Sequence, residues 1–521
     1  MAQKSADHPL INPWIIAITV MLSTFLEVLD TSIVNVSLPH IAGSLSATVS
    51  EATWVLTSYL VANAIVLPIT GWLANQFGRK RLLITAVTGF TIASALCGLA
   101  PTLPALVLFR VLQGAFGGSL QPISQAVLLE TFPPEQRGKA MGFWGLGIVV
   151  APILGPTLGG YLTDSLSWRW VFYINLPIGI LAVVMTYLFL FDPPYIQRST
   201  GKVDYWGLGM LAVGIAALQI MLDKGQELDW FGSHFIVALA VIAVIGLVAF
   251  VIWELVIEHP IVNLRVFKNR TYATGVLLMT VLGFVLYGSL VLLPIFLQTL
   301  LGYTALAAGI WTSPRGIGSL IFMPICGILL GRRWDARGLL TFGVVTGSLA
   351  LYAFARFDLT VSPWNIFWPQ FIQGMGMAFV FVPLTTVTMD PIPNAEMGNA
   401  TSLFNLMRNI GGSIGIAFTS AQLAQREQFH QERLASNLTP TRPAVRQMLA
   451  AARAHFMSHG ASWYTAGQQA LASLYGTLRQ QAALLSFVDE FWLLATVFMI
   501  LTPLIWIMRR PRSGGGPVGM H

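Results

Sequence analysis

The chain has 521 residues, of which 55% are hydrophobic and 10% charged, with a formal net charge of +7. Soluble domains carry about 25% charged residues, so this composition cannot cover a globule with solvated surface and implies a polytopic membrane protein. The basic residues are scattered singly or in threes between apolar runs, which gives no nucleic-acid-binding patch, and Cys97 and Cys326 lie in apolar runs without disulfide or metal-site spacing.

A membrane-crossing helix needs about 20 mostly apolar residues. In chain order the candidates are 13–37, 51–74, 81–100, 104–130, 138–161, 169–191, 204–222, 233–257, 271–297, 305–330, 336–356, 364–390, 398–420 and 485–509. Backbone groups in lipid must be paired within their own segment, so fourteen helices are expected. The opening stretch "MAQKSADHPLINPW" has no cleavable signal pattern, and the first run is expected to be a retained helix.

That first run contains "MLSTFLEVLDTSIVNVSLP" (21–39), interrupted by Glu27 and Asp30. At 100° per residue, Ser23, Glu27, Asp30, Thr31 and Asn35 share an arc of about 140°. Ionisable groups in a membrane face the bundle interior or a water-filled cavity. A carboxyl group there can gain or lose a proton, so the two acids suit proton coupling, cation recognition or both. They lie about 4.5 Å apart along the axis and are expected to titrate as a pair.

Three arginines also fall inside spans: Arg110 in the fourth, Arg315 in the tenth and Arg408 in the thirteenth. Arg315 and Arg408 sit about 15 Å into their helices, near the midplane, where an arginine needs a partner. The other charge on the fourth span, Glu130, is far along the helix, so the partner of Arg110 must come from another span, and Asp30 is a candidate. The candidate cavity lining is Glu27, Thr31, Asn35, Gln113, Gln121, Arg315, Gln373 and Arg408. The fifth span, "GLGIVVAPILGPTLGG" (145–160), concentrates glycine and proline, as close packing or a bending gate requires.

Loop charges give the orientation. With a cytoplasmic N-terminus, the inner side holds Lys4, Arg79, Lys80, Arg81, Arg137, Lys139, Arg198, Lys202, Arg265, Lys268, Arg270, Arg332, Arg333, Arg337, Arg509, Arg510 and Arg512. The short outer loops hold Arg169, Lys224 and Arg356. Both termini are therefore expected to be cytoplasmic. The long connection 421–484 falls outside, and loops of that length largely escape the charge rule. Near its end Leu471, Leu474, Tyr475, Leu478, Ala482 and Leu485 fall on one helical face.

The chain also repeats itself. Leu38-Pro39, Thr57-Ser58, Pro68, Gly71 and Leu82-Leu83 recur as Leu293-Pro294, Thr312-Ser313, Pro324, Gly327 and Leu339-Leu340. "VLQGAFGGSLQP" (111–122) echoes "FIQGMGMAFVFVP" (371–383). Spans one to six match spans nine to fourteen in the same order, which is a transporter architecture with its site near the midplane between two parallel halves. The expected organisation is a cytoplasmic N-terminus 1–12, a six-helix half 13–191, two inserted helices 204–257, a second half 271–509 that includes the outer connection 421–484, and a cytoplasmic tail 510–521.

These residues resemble the major facilitator superfamily, and within it the 14-helix drug:proton antiporters of the EmrB type. "LDTSIVNVSLP" (29–39) resembles the first-helix signature of that group. "GWLANQFGRKRLL" (71–83) resembles the superfamily motif Gly-x-Leu-Ala-Asp-Arg-x-Gly-Arg-Lys: Gly71, Gly78, Arg79 and Lys80 match, while Asn75 and Gln76 replace its Asp and Arg. "RVLQG" (110–114) resembles the fourth-helix motif, whose arginine the family implicates in proton transfer. "GPTLGG" (155–160), with Gly155, Pro156, Gly159 and Gly160, resembles the antiporter motif, and "WRWVFYINLPIG" (168–179) the start of the sixth helix.

The resemblance implies an all-α major facilitator fold and proton-driven efflux of hydrophobic, often cationic compounds across a bacterial inner membrane. It implies proton coupling through Asp30, Glu27 and Arg110, with the proton as coupling ion and no cofactor. It also implies partnership with a periplasmic adaptor of the EmrA type and an outer-membrane channel of the TolC type, for which 421–484 is the candidate contact; a cap on the chain's own outer face is the alternative. Export or uptake of a specific metabolite or siderophore by the same fold remains open. A membrane enzyme would need a cluster of acids or metal ligands that the histidines and outer loop do not supply, and there is no GxxxxGK[ST] loop for ATP.

Overall fold

The computed structural model describes residues 12–192, 204–258, 260–332, 334–439 and 441–508. Lys4, Arg198, Lys202, Arg333, Arg509, Arg510, Arg512 and the expected tail 510–521 lie outside the described residues. The first half comprises α1 (Pro13–Ser44), α2 (Val49–Ala52), α3 (Trp54–Phe77), α4 (Arg79–Leu99), α5 (Leu103–Gly117), α6 (Leu120–Thr131), α7 (Pro134–Ser165), α8 (Trp170–Tyr173) and α9 (Asn175–Phe189). Two inserted helices follow, α10 (Tyr205–Lys224) and α11 (His234–Val256). The second half comprises α12 (Arg270–Thr299), α13 (Ala305–Thr312), α14 (Pro314–Gly331), α15 (Ala336–Phe354), α16 (Pro363–Met389), α17 (Met397–Ala435), α18 (Pro443–Ser458), α19 (Trp463–Ile500) and α20 (Thr502–Ile505).

Local chemistry sets these boundaries. Pro13 occupies the first turn of α1, where its missing N–H costs nothing, and the Asn12 side chain accepts from Trp14 N at 3.0 Å. Thr102, Asp204, Asn269, Thr304, Asp335 and Ser462 cap later helices in the same way. The expected span 104–130 is two helices, broken at Gly118 and Ser119, and 305–330 is broken at Ser313 ahead of Pro314. Glycine and proline weaken a helix interior enough for packing to decide.

Thirteen helical stretches among the described residues are long and apolar enough to cross a membrane. The remaining expected span, 398–420, the thirteenth in chain order, is the inner part of α17, which buries Asn399, Thr401, Ser402, Asn405 and Arg408 and so is more polar than its neighbours. The expected 421–484 loop is corrected: α17 continues to Ala435, α18 follows, and α19 begins at Trp463 rather than 485. At 1.5 Å per residue, the 39 residues of α17 and the 38 of α19 measure about 58 and 57 Å, against about 30 Å of hydrocarbon. Both helices therefore project well past the bilayer and pack on each other, with α18 against α19. The expected apolar residues share one face of α19, but their surroundings differ: Leu478 and Ala482 are buried, whereas Leu471, Tyr475 and Leu485 are exposed.

Within lipid there is little hydrophobic force between helices, so association relies on close packing of small residues and on polar contacts. A Cβ on Gly155 would sit 2.5 Å from Ser32 Cβ, and one on Gly159 would sit 2.8 Å from Ile33 O. These two glycines seat α7 on α1, where Trp144 Nε1 also donates to Thr24 Oγ1 at 2.9 Å. Gly160 has open space around its Cβ position, and the side chain of Pro156 lies outside the described residues.

The halves meet through α3 and α6 against α17, and through α7 against α14 and α16. A Cβ on Gly71 would lie 2.5 Å from Asn399 Cα, and one on Gly142 would lie 2.8 Å from Met323 O. Arg137 Nη2 donates to Asn394 Oδ1 at 3.5 Å, Thr401 Oγ1 to Pro122 O at 3.1 Å and Asn405 Nδ2 to Gln125 Oε1 at 2.6 Å. These contacts close the end of the bundle where α3 finishes and α7 and α17 begin.

Candidate functional site

Asp30, at the middle of α1, is fully buried and receives three side-chain donors. Arg110 Nη1 reaches Oδ2 at 2.6 Å, while Gln113 Nε2 and Asn175 Nδ2 reach Oδ1 at 2.9 and 2.7 Å. Arg110 is itself fixed by donating to Val55 O (3.0 Å) and Gln113 Oε1 (2.8 Å), with its guanidinium carbon 4.2 Å from the Tyr59 ring centroid. Asn175 also donates to Ser94 Oγ at 3.0 Å. A buried ion pair is stable only when its remaining hydrogen-bonding capacity is met, and α3, α4, α5 and α9 meet most of it here.

Glu27, one turn earlier, is held differently. Its Oε1 accepts from Asn63 Nδ2 at 2.9 Å, while Oε2 is buried without a hydrogen-bond partner. The backbone N–H of Gln121, in the first turn of α6, and the guanidinium of Arg408 both act on this carboxyl group. The break between α5 and α6 thus leaves the positive end of a half-helix facing an acid, an arrangement that discontinuous membrane helices make possible.

Arg408 is 4% exposed. It donates to Gln121 Oε1 across the two halves and to Asn409 Oδ1 at 3.4 Å, and its Nε is buried without a partner. Arg315 donates to Gln370 Oε1 (3.0 Å) and Gln373 Oε1 (2.6 Å), and Gln373 Nε2 donates to Ser289 Oγ (3.3 Å). The first half therefore contributes the carboxylates and the second contributes arginines held by amides.

Not every expected lining residue joins these clusters. Thr31 Oγ1 donates to Val28 O at 2.9 Å, and Asn35 Nδ2 donates to Thr31 O at 3.1 Å, so both turn back on their own helix. Asn35 is exposed and Thr31 half-buried. The fully buried Tyr59, Asn63, Asn175, Gln125 and Asn405 were missed as site residues; a polar side chain inside an apolar run was their signal.

At the closed end, Gly71, Asn75, Gly78, Arg79 and Lys80 span the junction of α3 and α4. Arg79 Nε donates to Glu130 Oε2 at 2.7 Å, joining α4 to α6. Asp192, beyond the end of α9, accepts from Lys80 N at 2.8 Å. Gly78 adopts φ +88°, and a Cβ there would lie 2.5 Å from Asp192 Oδ2. The N-terminus of α4 thus takes its acid from Asp192, whereas Asn75 stands where the family motif has its carboxylate.

The Major Facilitator Superfamily profile matches residues 20–416. The chain is 39% identical over 512 residues to the multidrug export protein EmrB of Escherichia coli strain K12, covering 97% of this chain and 98% of that protein. It is 40% identical over 507 residues to the fatty acid resistance protein FarB of Neisseria gonorrhoeae, covering 96% and 97%. Among solved structures, the proton:xylose symporter XylE bound to 6-bromo-6-deoxy-D-glucose aligns with TM-score 0.62 at 16% identity over 96% of each chain. The human organic anion transporter MFSD10 aligns with TM-score 0.59 at 12% identity, covering 95% and 100%. Identities this low speak for the fold alone. The chain belongs to the Major Facilitator Superfamily, as a multi-pass multidrug-efflux transporter of the EmrB-like group.

Proposed function

We propose that this chain exchanges protons for hydrophobic, often cationic compounds across a bacterial inner membrane, with both termini cytoplasmic. The observation that carries the reading is the fully hydrogen-bonded Asp30 of the Asp30–Arg110 pair beside the buried Glu27 carboxyl, one oxygen of which has no hydrogen-bond partner, on one face of α1. An antiporter must bind proton and substrate in competition, and reciprocal linkage through acids on a shared face provides that. Asp30 is the proton carrier, and Arg110 is the counter-ion that holds it once the proton has left. Glu27, with one oxygen unclaimed, selects substrates by charge. With the termini inside, the closed end of the bundle is cytoplasmic.

The same reading makes the chain the permease of a tripartite pump, with an EmrA-like adaptor and a TolC-like channel. The projecting parts of α17 and α19, together with α18, are the surface available to the adaptor.

The test is transport in proteoliposomes under an imposed pH gradient, with tetraphenylphosphonium, oleate and chloramphenicol as cationic, anionic and neutral probes. Gradient-driven export of the cation, abolished by a protonophore, is the expected result; transport indifferent to the gradient removes proton coupling. Preferential export of oleate supports a second reading, in which fatty-acid-like anions are the substrates. The relative named for fatty acid resistance and the amide-held Arg315 favour that reading.

A further inference from the structure

We propose that Arg408 is the counter-cation that replaces a cationic substrate at Glu27 as the two halves close, and so drives release toward the opposite side. The proposal rests on the cation-export reading above. Arg408 comes from α17 of the second half and Glu27 from α1 of the first, so they are neighbours only while the halves are joined at this end. Thr401, Asn405 and Arg408 lie on one face of α17 at helical spacing, and each donates to α6: to Pro122 O, Gln125 Oε1 and Gln121 Oε1 respectively. Arg408 is the rung of this seam deepest in the bundle. Gln121 links the two charges, offering its side-chain oxygen to Arg408 and its backbone N–H to the Glu27 carboxyl.

The other charged and titratable groups around Glu27 are Asp30 on its own helix, Tyr59 on α3 and Arg110 on α5. Arg110 Nη2, Glu27 Oε2 and Arg408 Nε are all buried without hydrogen-bond partners, but Arg110 is committed to Asp30 and Val55 within the first half, whereas Arg408 comes from the second half. A substrate cation at Glu27 and the Arg408 guanidinium repel each other where little water screens them. When the halves are apart the cation holds the carboxylate. When the seam zips, Arg408 arrives and the cation loses its counter-ion. A neutral substrate does not feel this exchange.

Binding and transport by Arg408→Gln test the assignment, with Arg408→Lys as the charge-retaining control. In detergent, without any gradient, R408Q should bind tetraphenylphosphonium about tenfold more tightly than wild type, and R408K should match wild type. In proteoliposomes the maximal rate for tetraphenylphosphonium should fall about tenfold without a rise in KM, while chloramphenicol transport is retained. In a Glu27→Gln background, Arg408→Gln should add nothing for the cation. Equal cation affinity in R408Q and wild type overturns the assignment, as does equal slowing of neutral and cationic probes or multiplication of the two losses in the double variant. Should R408Q fail to fold, Gln121→Ala, which frees Arg408 from the seam, is read by the same binding comparison. The proton-coupling reading is judged separately, by whether the wild type follows the pH gradient.

Discussion

Asp30 and Arg110 stand 80 positions apart in the chain, yet meet at 2.6 Å with neither side chain exposed. Removing one partner of such a pair leaves the other charge buried, at a cost of about 3–5 kcal/mol. Asp30→Asn should therefore lower thermal stability, and Arg110→Gln added to it should restore much of the loss by removing the orphaned charge. Transport should not return in the double variant. Asp30→Asn should also leave drug binding measurable and nearly independent of pH, while gradient-driven efflux disappears. Unfolding midpoints, binding across pH and proteoliposome efflux check the set, and wild-type pumping by Asp30→Asn would pass the proton to another acid.

Glu27 gives a contrasting expectation. Its carboxyl takes one side-chain hydrogen bond, from Asn63, and leaves Oε2 unclaimed. Glu27→Gln keeps the shape and the Asn63 contact but removes the charge, so folding should be little affected. Efflux of tetraphenylphosphonium should fall about tenfold while chloramphenicol is spared. Equal loss for both probes would mean that Glu27 serves the transport cycle itself and not charge selection.

The acids and arginines could be read from the sequence because a charge inside an apolar run has few innocent explanations. Elimination within the fourth span sent the partner of Arg110 to another helix and left Asp30 as a candidate, and the structure makes that pair. Asn63 and Asn175 were harder, since one amide among apolar residues is common and its partner lies on a different helix. Asp192 accepts from the first turn of α4 from more than a hundred positions away, and sequence spacing cannot express that. The extent of α17 and α19 was hidden because a search for membrane spans stops where apolarity stops, whereas a helix continues as long as its backbone bonds are met.

Gly71 and Gly160 belong to family-like motifs but sit in opposite surroundings. A Cβ on Gly71 would strike the backbone of Asn399 across the halves, whereas one on Gly160 meets nothing within 4 Å. Gly71→Val should hold the closed end apart and abolish transport; Gly160→Ala should be silent. Spin labels at the exposed positions Gln136 and Glu396 would read the separation. A Gly71→Val protein with the wild-type distance distribution and full transport would remove this contact from the closing motion.

The apolar stripe of α19 is covered over part of its length and bare over the rest. On α19, Leu478 and Ala482 are buried, while Leu471 and Tyr475 are each 52% exposed. An aspartate at Leu478 would bury a charge against neighbouring helices, so Leu478→Asp should lower the unfolding midpoint. Leu471→Asp and Tyr475→Asp place charges in solvent and should leave stability and drug binding unchanged. If this face receives the adaptor, the latter pair should weaken capture of an EmrA-like partner, because exposed aromatic and aliphatic anchors carry much of an interface's energy. Capture at unchanged affinity would reduce the extension to a cap on the transporter's own outer end. A cysteine at Ser436, in a cysteine-free background, supplies the matching topology check: labelling from outside intact cells is expected, and labelling only after permeabilisation would place the extension, and with it any adaptor contact, on the wrong side of the membrane.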